Sequence, residues 1–131
     1  MDTSSIDKVL IVDDDANIRL IAEMSLEGLT AWKLTLAACG EEALAYLAKE
    51  TPELILLDMM MPDMDGITLF GKIKTQFGDK MPSVIFMTAK VQSHEVEKYR
   101  TLGACGVIMK PFDPMTLPKQ IVEMLEASKT Q

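Results

Sequence analysis

Residues 54–58 read Leu54-Ile55-Leu56-Leu57-Asp58, four apolar residues closed by an acid. A strand with one wet face would alternate apolar and polar residues, so an unbroken run suits a strand covered on both faces, as in a parallel sheet. Val9-Leu10-Ile11-Val12, Val84-Ile85-Phe86-Met87 and Val107-Ile108-Met109 share the pattern, each bounded by polar residues. Trp32-Lys33-Leu34-Thr35-Leu36 alternates instead and reads as an edge strand.

Helical spacing fills the gaps between these runs. Ile18, Ile21, Ala22 and Leu26 step by three and four, with Asp15 as N-cap and Gly28 as the stop. Ala43, Leu44, Leu47 and Ala48 repeat the stripe before Pro52, and Leu69, Phe70, Ile73 and Phe77 repeat it before Gly78. The segment from Ser93 to Leu102 is less amphipathic, with Val96, Tyr99 and Leu102 as its apolar residues and Gly103 at its end. Ile121, Val122 and Leu125 mark a last helix, with Thr116 as N-cap and Pro118 tolerated in the first turn. The order βα repeated five times predicts an α/β fold, a doubly wound five-stranded parallel sheet with helices on both faces.

Composition bounds the function. The 131 residues fit one domain, and 48% hydrophobic content is too rich for a disordered acidic tail. Twenty acids against thirteen bases leave a net charge of −7, which does not suit a general nucleic-acid binder. The charge is lopsided: residues 1–66 hold 14 acids and 4 bases, residues 67–131 hold 6 acids and 9 bases. No apolar stretch approaches the ~20 residues of a membrane-spanning helix, and the acidic N-terminus is unlike a secretory signal, so a cytoplasmic protein is expected. Cys39 and Cys105 form no CxxC, and a zinc site with the lone His94 is unsupported. GxxxxGK[ST], GxGxxG, GxSxG and HExxH are all absent.

In open α/β sheets ligands bind beyond the carboxyl ends of the strands. Those ends carry Asp13-Asp14-Asp15, Asp58, Thr88-Ala89 and Lys110-Pro111. If the first and third strands are neighbours, Asp13, Asp14 and Asp58 converge, and like charges in partial burial call for a cation. Hard oxygen ligands favour Mg²⁺, which keeps waters and often accompanies a phosphate. Lys110 adds an ammonium and Thr88 a hydroxyl, so three phosphoryl oxygens would have three partners. With no nucleotide loop, the economical reading is a carboxylate that accepts a phosphoryl group, and Asp58 is the candidate. Asp15 is read as a helix cap rather than a ligand. An EF-hand aligned on Gly66 would start at Met61 and end at Lys72, where acids are required, and fails.

The ordered blocks Val9 to Asp14, Leu56 to Gly66, Met87-Thr88-Ala89 and Lys110-Pro111-Phe112 resemble the receiver domain of two-component response regulators, like the single-domain chemotaxis regulators, over roughly residues 7–127. The resemblance implies a flavodoxin-like strand order 2-1-3-4-5 and a phosphoacceptor signalling switch. Asp58 would be phosphorylated by a histidine kinase or phosphotransfer protein in a Mg²⁺-dependent reaction. Asp13 and Asp14 match the acidic pair that binds the metal, Met60 the position that lends its backbone carbonyl, Thr88 the switch hydroxyl, Lys110 the phosphate-binding lysine, and Pro111 the proline after a cis peptide. Phosphorylation would then shift the face of helix 4, strand 5 and helix 5 for a downstream effector. Catalysis would be confined to weak autophosphorylation and autodephosphorylation, with no direct nucleic-acid contact and no membrane insertion. A homodimer through the fourth and fifth helices is left open.

Two departures stand out. Many receivers carry Tyr or Phe three residues before the lysine; here that position is Val107, so signalling is expected to rely on Thr88 and the segment from 89 to 102. Met60 and Lys90 occupy positions that modulate water access to the acyl phosphate, and an apolar Met60 is expected to slow its hydrolysis. Two alternatives are a pseudo-receiver that docks without phosphorylation and an Asp-nucleophile phosphatase, which needs an Asp where Met60 stands. The chain is read as one receiver domain, 1–131, although a fragment of a longer regulator would read alike.

Overall fold

The computed structural model describes residues 6–89 and 93–129. The chain alternates strand and helix: β1 (Lys8–Val12), α1 (Ala16–Leu29), β2 (Lys33–Ala37), α2 (Gly40–Leu47), β3 (Leu54–Asp58), α3 (Gly66–Phe77), β4 (Ser83–Thr88), α4 (Ser93–Leu102), β5 (Gly106–Met109) and α5 (Leu117–Lys129). All strand pairs are parallel and the sheet order is β2-β1-β3-β4-β5. This is the doubly wound arrangement expected from the sequence.

The unbroken apolar runs divide by alternation into two cores. Leu10, Val12, Ile55, Leu57, Val84 and Phe86 point to one face and pack with Ala43, Leu47, Leu69, Phe70, Ile73 and Tyr99. Val9, Ile11, Leu54, Leu56, Ile85, Met87 and Ile108 point to the other and pack with Ala22, Leu26, Ile121 and Leu125. Helices α2, α3 and α4 therefore cover one face, and α1 and α5 the other. Burying one such side chain contributes about 1.5–3 kcal/mol, so both layers are held by the strands' own composition.

β5 is the second edge strand, as the order 2-1-3-4-5 requires, and it is more open than its apolar run indicates, with Val107 half-buried and Met109 55% exposed. Two local expectations change. Helix α1 does not stop at Gly28 but at Thr30, whose backbone N–H and hydroxyl both donate to the Leu26 carbonyl. Within α1, Ile21 lies on the rim at 38% exposure, while buried Ser25 faces inward and donates its hydroxyl to the Pro114 carbonyl. Before α5, Thr116 donates its hydroxyl to the Asp113 carbonyl, and Asp113 Oδ1 accepts the Met115 N–H.

Candidate functional site

Strand register brings the polar residues to one edge of the sheet. Val12 pairs with Leu57, Asp58 with Met87 and Thr88 with Met109, so the ends of β1, β3, β4 and β5 are level, with Asp13 next to Asp58 and Lys110 beyond Thr88. The Asp13 N–H donates to Ala37 and the Lys110 N–H to Thr88, which extends the ladder one residue past the apolar runs.

The β1–α1 turn is built from its own acids. Asp13 Oδ1 accepts the Asp15 N–H at 2.9 Å, and Asp15 caps α1 by accepting the N–H groups of Asn17 and Ile18. Arg19 Nη1 donates to the Asp13 carbonyl at 2.7 Å. Sequence reading did not single out Arg19, because its partner is a backbone oxygen that leaves no motif. Asp13 ends fully buried and Asp14 exposed.

The β3–α3 loop folds back on the strand end. Asp65 caps α3 by accepting the Thr68 N–H at 2.7 Å, and the Gly66 N–H donates to the Met59 carbonyl. A Cβ at Gly66 would lie 2.5 Å from the Asp58 carbonyl oxygen and 2.9 Å from Met59 Cα, so only glycine admits this approach. Of the three consecutive methionines, Met59 and Met61 are buried and Met60 is 76% exposed at the lip of the site. The Met60 N–H donates to Asp58 Oδ1 at 3.2 Å.

Lys110 reaches between the acids. Its Nζ lies 2.7 Å from Asp13 Oδ2 and 3.0 Å from Asp58 Oδ1, and the Lys110-Pro111 peptide is cis. Burial works to lower the Lys110 pKa, but its ion pairs with Asp13 and Asp58 outweigh that and hold it above its ordinary value. Burial pushes the Asp58 carboxyl up to about 6; Lys110 and the Met60 N–H oppose the rise, and the Asp13 charge adds to it. At neutral pH Asp58 is thus mostly ionised but poorly solvated.

Carboxylate oxygens of Asp13, Asp14 and Asp58 lie within 4.8 Å of one another. Asp13 Oδ2 is buried and, despite its ion pair with Lys110, has no well-directed hydrogen bond. An all-oxygen donor set with an incompletely satisfied buried carboxylate fits a small divalent cation such as Mg²⁺. These residues line a cleft of about 450 Å³ together with Asp15, Ile18, Met60, Ala89, Lys110 and Pro111.

Thr88 is buried at 7% exposure, and its carbonyl accepts the Lys110 N–H at 2.8 Å. It lines a neighbouring cleft of about 540 Å³ with Met59, Met60, Asp65, Ile67, Ala89 and Tyr99. Lys90 lies outside the described residues, as does the side chain of His94.

The fold is thus an open parallel sheet that carries a buried carboxylate, two flanking acids and a lysine at its carboxyl edge. The sequence matches the family model of the response regulator receiver domain over residues 9–122, and the chain belongs to that family, the phosphoacceptor module of two-component systems. It is 38% identical to the sporulation initiation phosphotransferase F of Bacillus subtilis over 109 residues, 82% of this chain and 84% of that protein. It is 35% identical to the probable transcriptional regulator ycf27 of Porphyridium aerugineum over 119 residues, 91% of this chain. This chain spans about half (48%) of the latter's length. Among solved structures it superposes on the chemotaxis response regulator CheY4 of Vibrio cholerae with a TM-score of 0.82 at 30% identity, covering 92% of this chain and 99% of that one. A chain of the CheX-CheY-BeF3-Mg+2 complex from Borrelia burgdorferi gives 0.81 at 28% identity, with coverage of 91% and 89%.

Proposed function

We propose that this chain is a phosphorylation-driven switch in which Asp58 accepts a phosphoryl group from a phosphohistidine of a histidine kinase or phosphotransfer protein. An Asp58 oxygen attacks phosphorus, the phosphorus–nitrogen bond of the donor breaks, and its imidazole leaves with the electron pair. Asp13, Asp14, Asp58 and the Met60 backbone carbonyl would hold Mg²⁺, which supplies positive charge to the phosphoryl oxygens when bound. Lys110 holds a second positive charge within 3.0 Å of Asp58, at the atom where phosphoryl charge would accumulate. Thr88 would supply a hydroxyl to the third oxygen, and its movement would bias the α4, β5 and α5 face toward an effector. The residues 1–131 would act as a single cytoplasmic receiver domain.

The observation that carries this reading is the Asp58 carboxylate itself, 2% exposed, with its pKa at about 6, bracketed by Lys110 and two further acids. Met60 in place of a second Asp argues against a phosphatase of the Asp-nucleophile type. The intact set of Asp13, Asp14, Asp58, Thr88 and Lys110 argues against a docking module indifferent to phosphate. Incubation with acetyl phosphate and Mg²⁺ should add one phosphoryl group by mass to the wild type and none to Asp58→Asn or to protein in EDTA. Unmodified wild-type protein would exclude the switch and leave the docking module standing.

A further inference from the structure

Asp14 is the exposed member of the acidic cluster, and its side chain makes no hydrogen bond or ion pair among the described residues. A solvated carboxylate gains nothing by leaning toward like charges. Yet an Asp14 oxygen lies within 4.8 Å of carboxylate oxygens of Asp13 and Asp58. With no side-chain contact to hold it there, its direction is set by the backbone that carries it.

That backbone is held by Arg19. The Asp13 carbonyl belongs to the peptide group that joins Asp13 to Asp14, and it accepts Arg19 Nη1 at 2.7 Å. Among the described residues it accepts no other hydrogen bond. Arg19 sits in the first turn of α1, where its own N–H donates to the Asp15 carbonyl at 3.0 Å, so the guanidinium reaches back from a rigid element. It is half-buried and pairs with no carboxylate among the described residues. A cation beside an acidic site is thus committed to a backbone oxygen instead of an acid.

We propose that Arg19 is a positioning residue for the divalent cation: by holding the Asp13 carbonyl it fixes the plane of the Asp13–Asp14 peptide and directs the Asp14 carboxylate toward Asp13 and Asp58. The proposal rests on the phosphoacceptor reading above, which places Mg²⁺ among these three acids. Two effects of the guanidinium oppose each other, since its charge repels a bound ion while its hydrogen bond organises the ligands. The charge is partly solvated and screened, whereas the bond acts on a peptide with a ligand on either side, so organisation is the larger effect.

Mn²⁺ suits the same oxygen ligands, and its free ion is counted directly by electron paramagnetic resonance. Arg19→Met, close in length and without a donor, should bind Mn²⁺ about tenfold more weakly than the wild type. Arg19→Lys keeps both charge and a donor, and should bind more tightly than Arg19→Met, the reverse of what charge repulsion alone would give. In an Asp14→Asn background, where the carboxylate to be directed is gone, Arg19→Met should cost no more than about twofold. Urea unfolding followed by Trp32 checks that each variant is folded. An unchanged or tighter affinity in Arg19→Met would overturn the proposal, as would an Arg19→Lys variant no tighter than Arg19→Met. A full loss that persists in Asp14→Asn would overturn it too, because Arg19 would then act on something other than Asp14. Wild-type protein that binds no Mn²⁺, or binding that Asp58→Asn leaves unchanged, would remove the metal site of the phosphoacceptor reading and the proposal with it.

Discussion

Replacing Asp58 by Asn should stabilise the metal-free protein at neutral pH. The carboxyl has a pKa of about 6 in the folded chain against an ordinary value of 3.8. Between these values the folded protein still holds a proton that the unfolded chain has released. Stability from this group is therefore fully present below pH 3.8 and is lost as pH rises through about 6. The gap of about 2 units corresponds to about 3 kcal/mol at pH 7.5. Asn is a neutral isostere of the protonated acid and escapes that penalty. The variant should unfold on the order of 10 °C higher at pH 7.5 and match the wild type near pH 4. Urea titrations in EDTA from pH 4 to 8, followed by Trp32, which packs against the α1 and α5 core, measure the difference. Glu53, held low by the N–H groups of Lys8 and Asp7 against its own burial, and Asp65, held low by Thr68, give an opposite slope. They do so in both proteins, so the difference isolates Asp58. A gap that does not change with pH, or a less stable variant at pH 7.5, would refute the reasoning.

Lys110→Ala removes the cation shared by Asp13 and Asp58 and should cost about 3 kcal/mol in EDTA at pH 7.5. Mg²⁺ should recover more of the variant's melting temperature than it adds to the wild type, because the ion then supplies the missing charge; equal gains in a thermal melt would count against this. Gly66→Ala forces a Cβ onto the backbone of Asp58 and Met59 and should destabilise by about 1–3 kcal/mol in urea, with slower phosphorylation by acetyl phosphate. Met60→Asn places a polar side chain at the exposed lip of the acidic cleft, where it can orient water. Phospho-Asp58 should decay faster in that variant, and identical decay rates would show that the Met60 side chain does not govern water access.

The strands were legible from the sequence because a covered parallel strand needs an apolar residue at every position, a demand that local composition displays. The cap at Asp15 was legible for a similar reason: a short acid before an apolar stripe satisfies N–H groups only two and three residues away. The end of α1 was not, since Gly28 permits a stop but Thr30, by bonding back to Leu26, provides one. The edge position of β5 left no mark on its three apolar residues and came only with the strand order that the family resemblance implies.

By itself the sequence determined which residues end the strands: Asp13, Asp14, Asp58, Thr88 and Lys110 each follow or close an apolar run, and the parallel pairing that βα crossovers impose sends such ends to one edge. Only the tertiary structure decided how they divide. Lys110 spans from β5 to Asp13 and Asp58, whereas Thr88 lies in the wall of the neighbouring cleft beside Tyr99. That division depends on the register of four strands and on where α4 lies over the sheet. Both are contacts between residues far apart in the chain, and no local pattern encodes them.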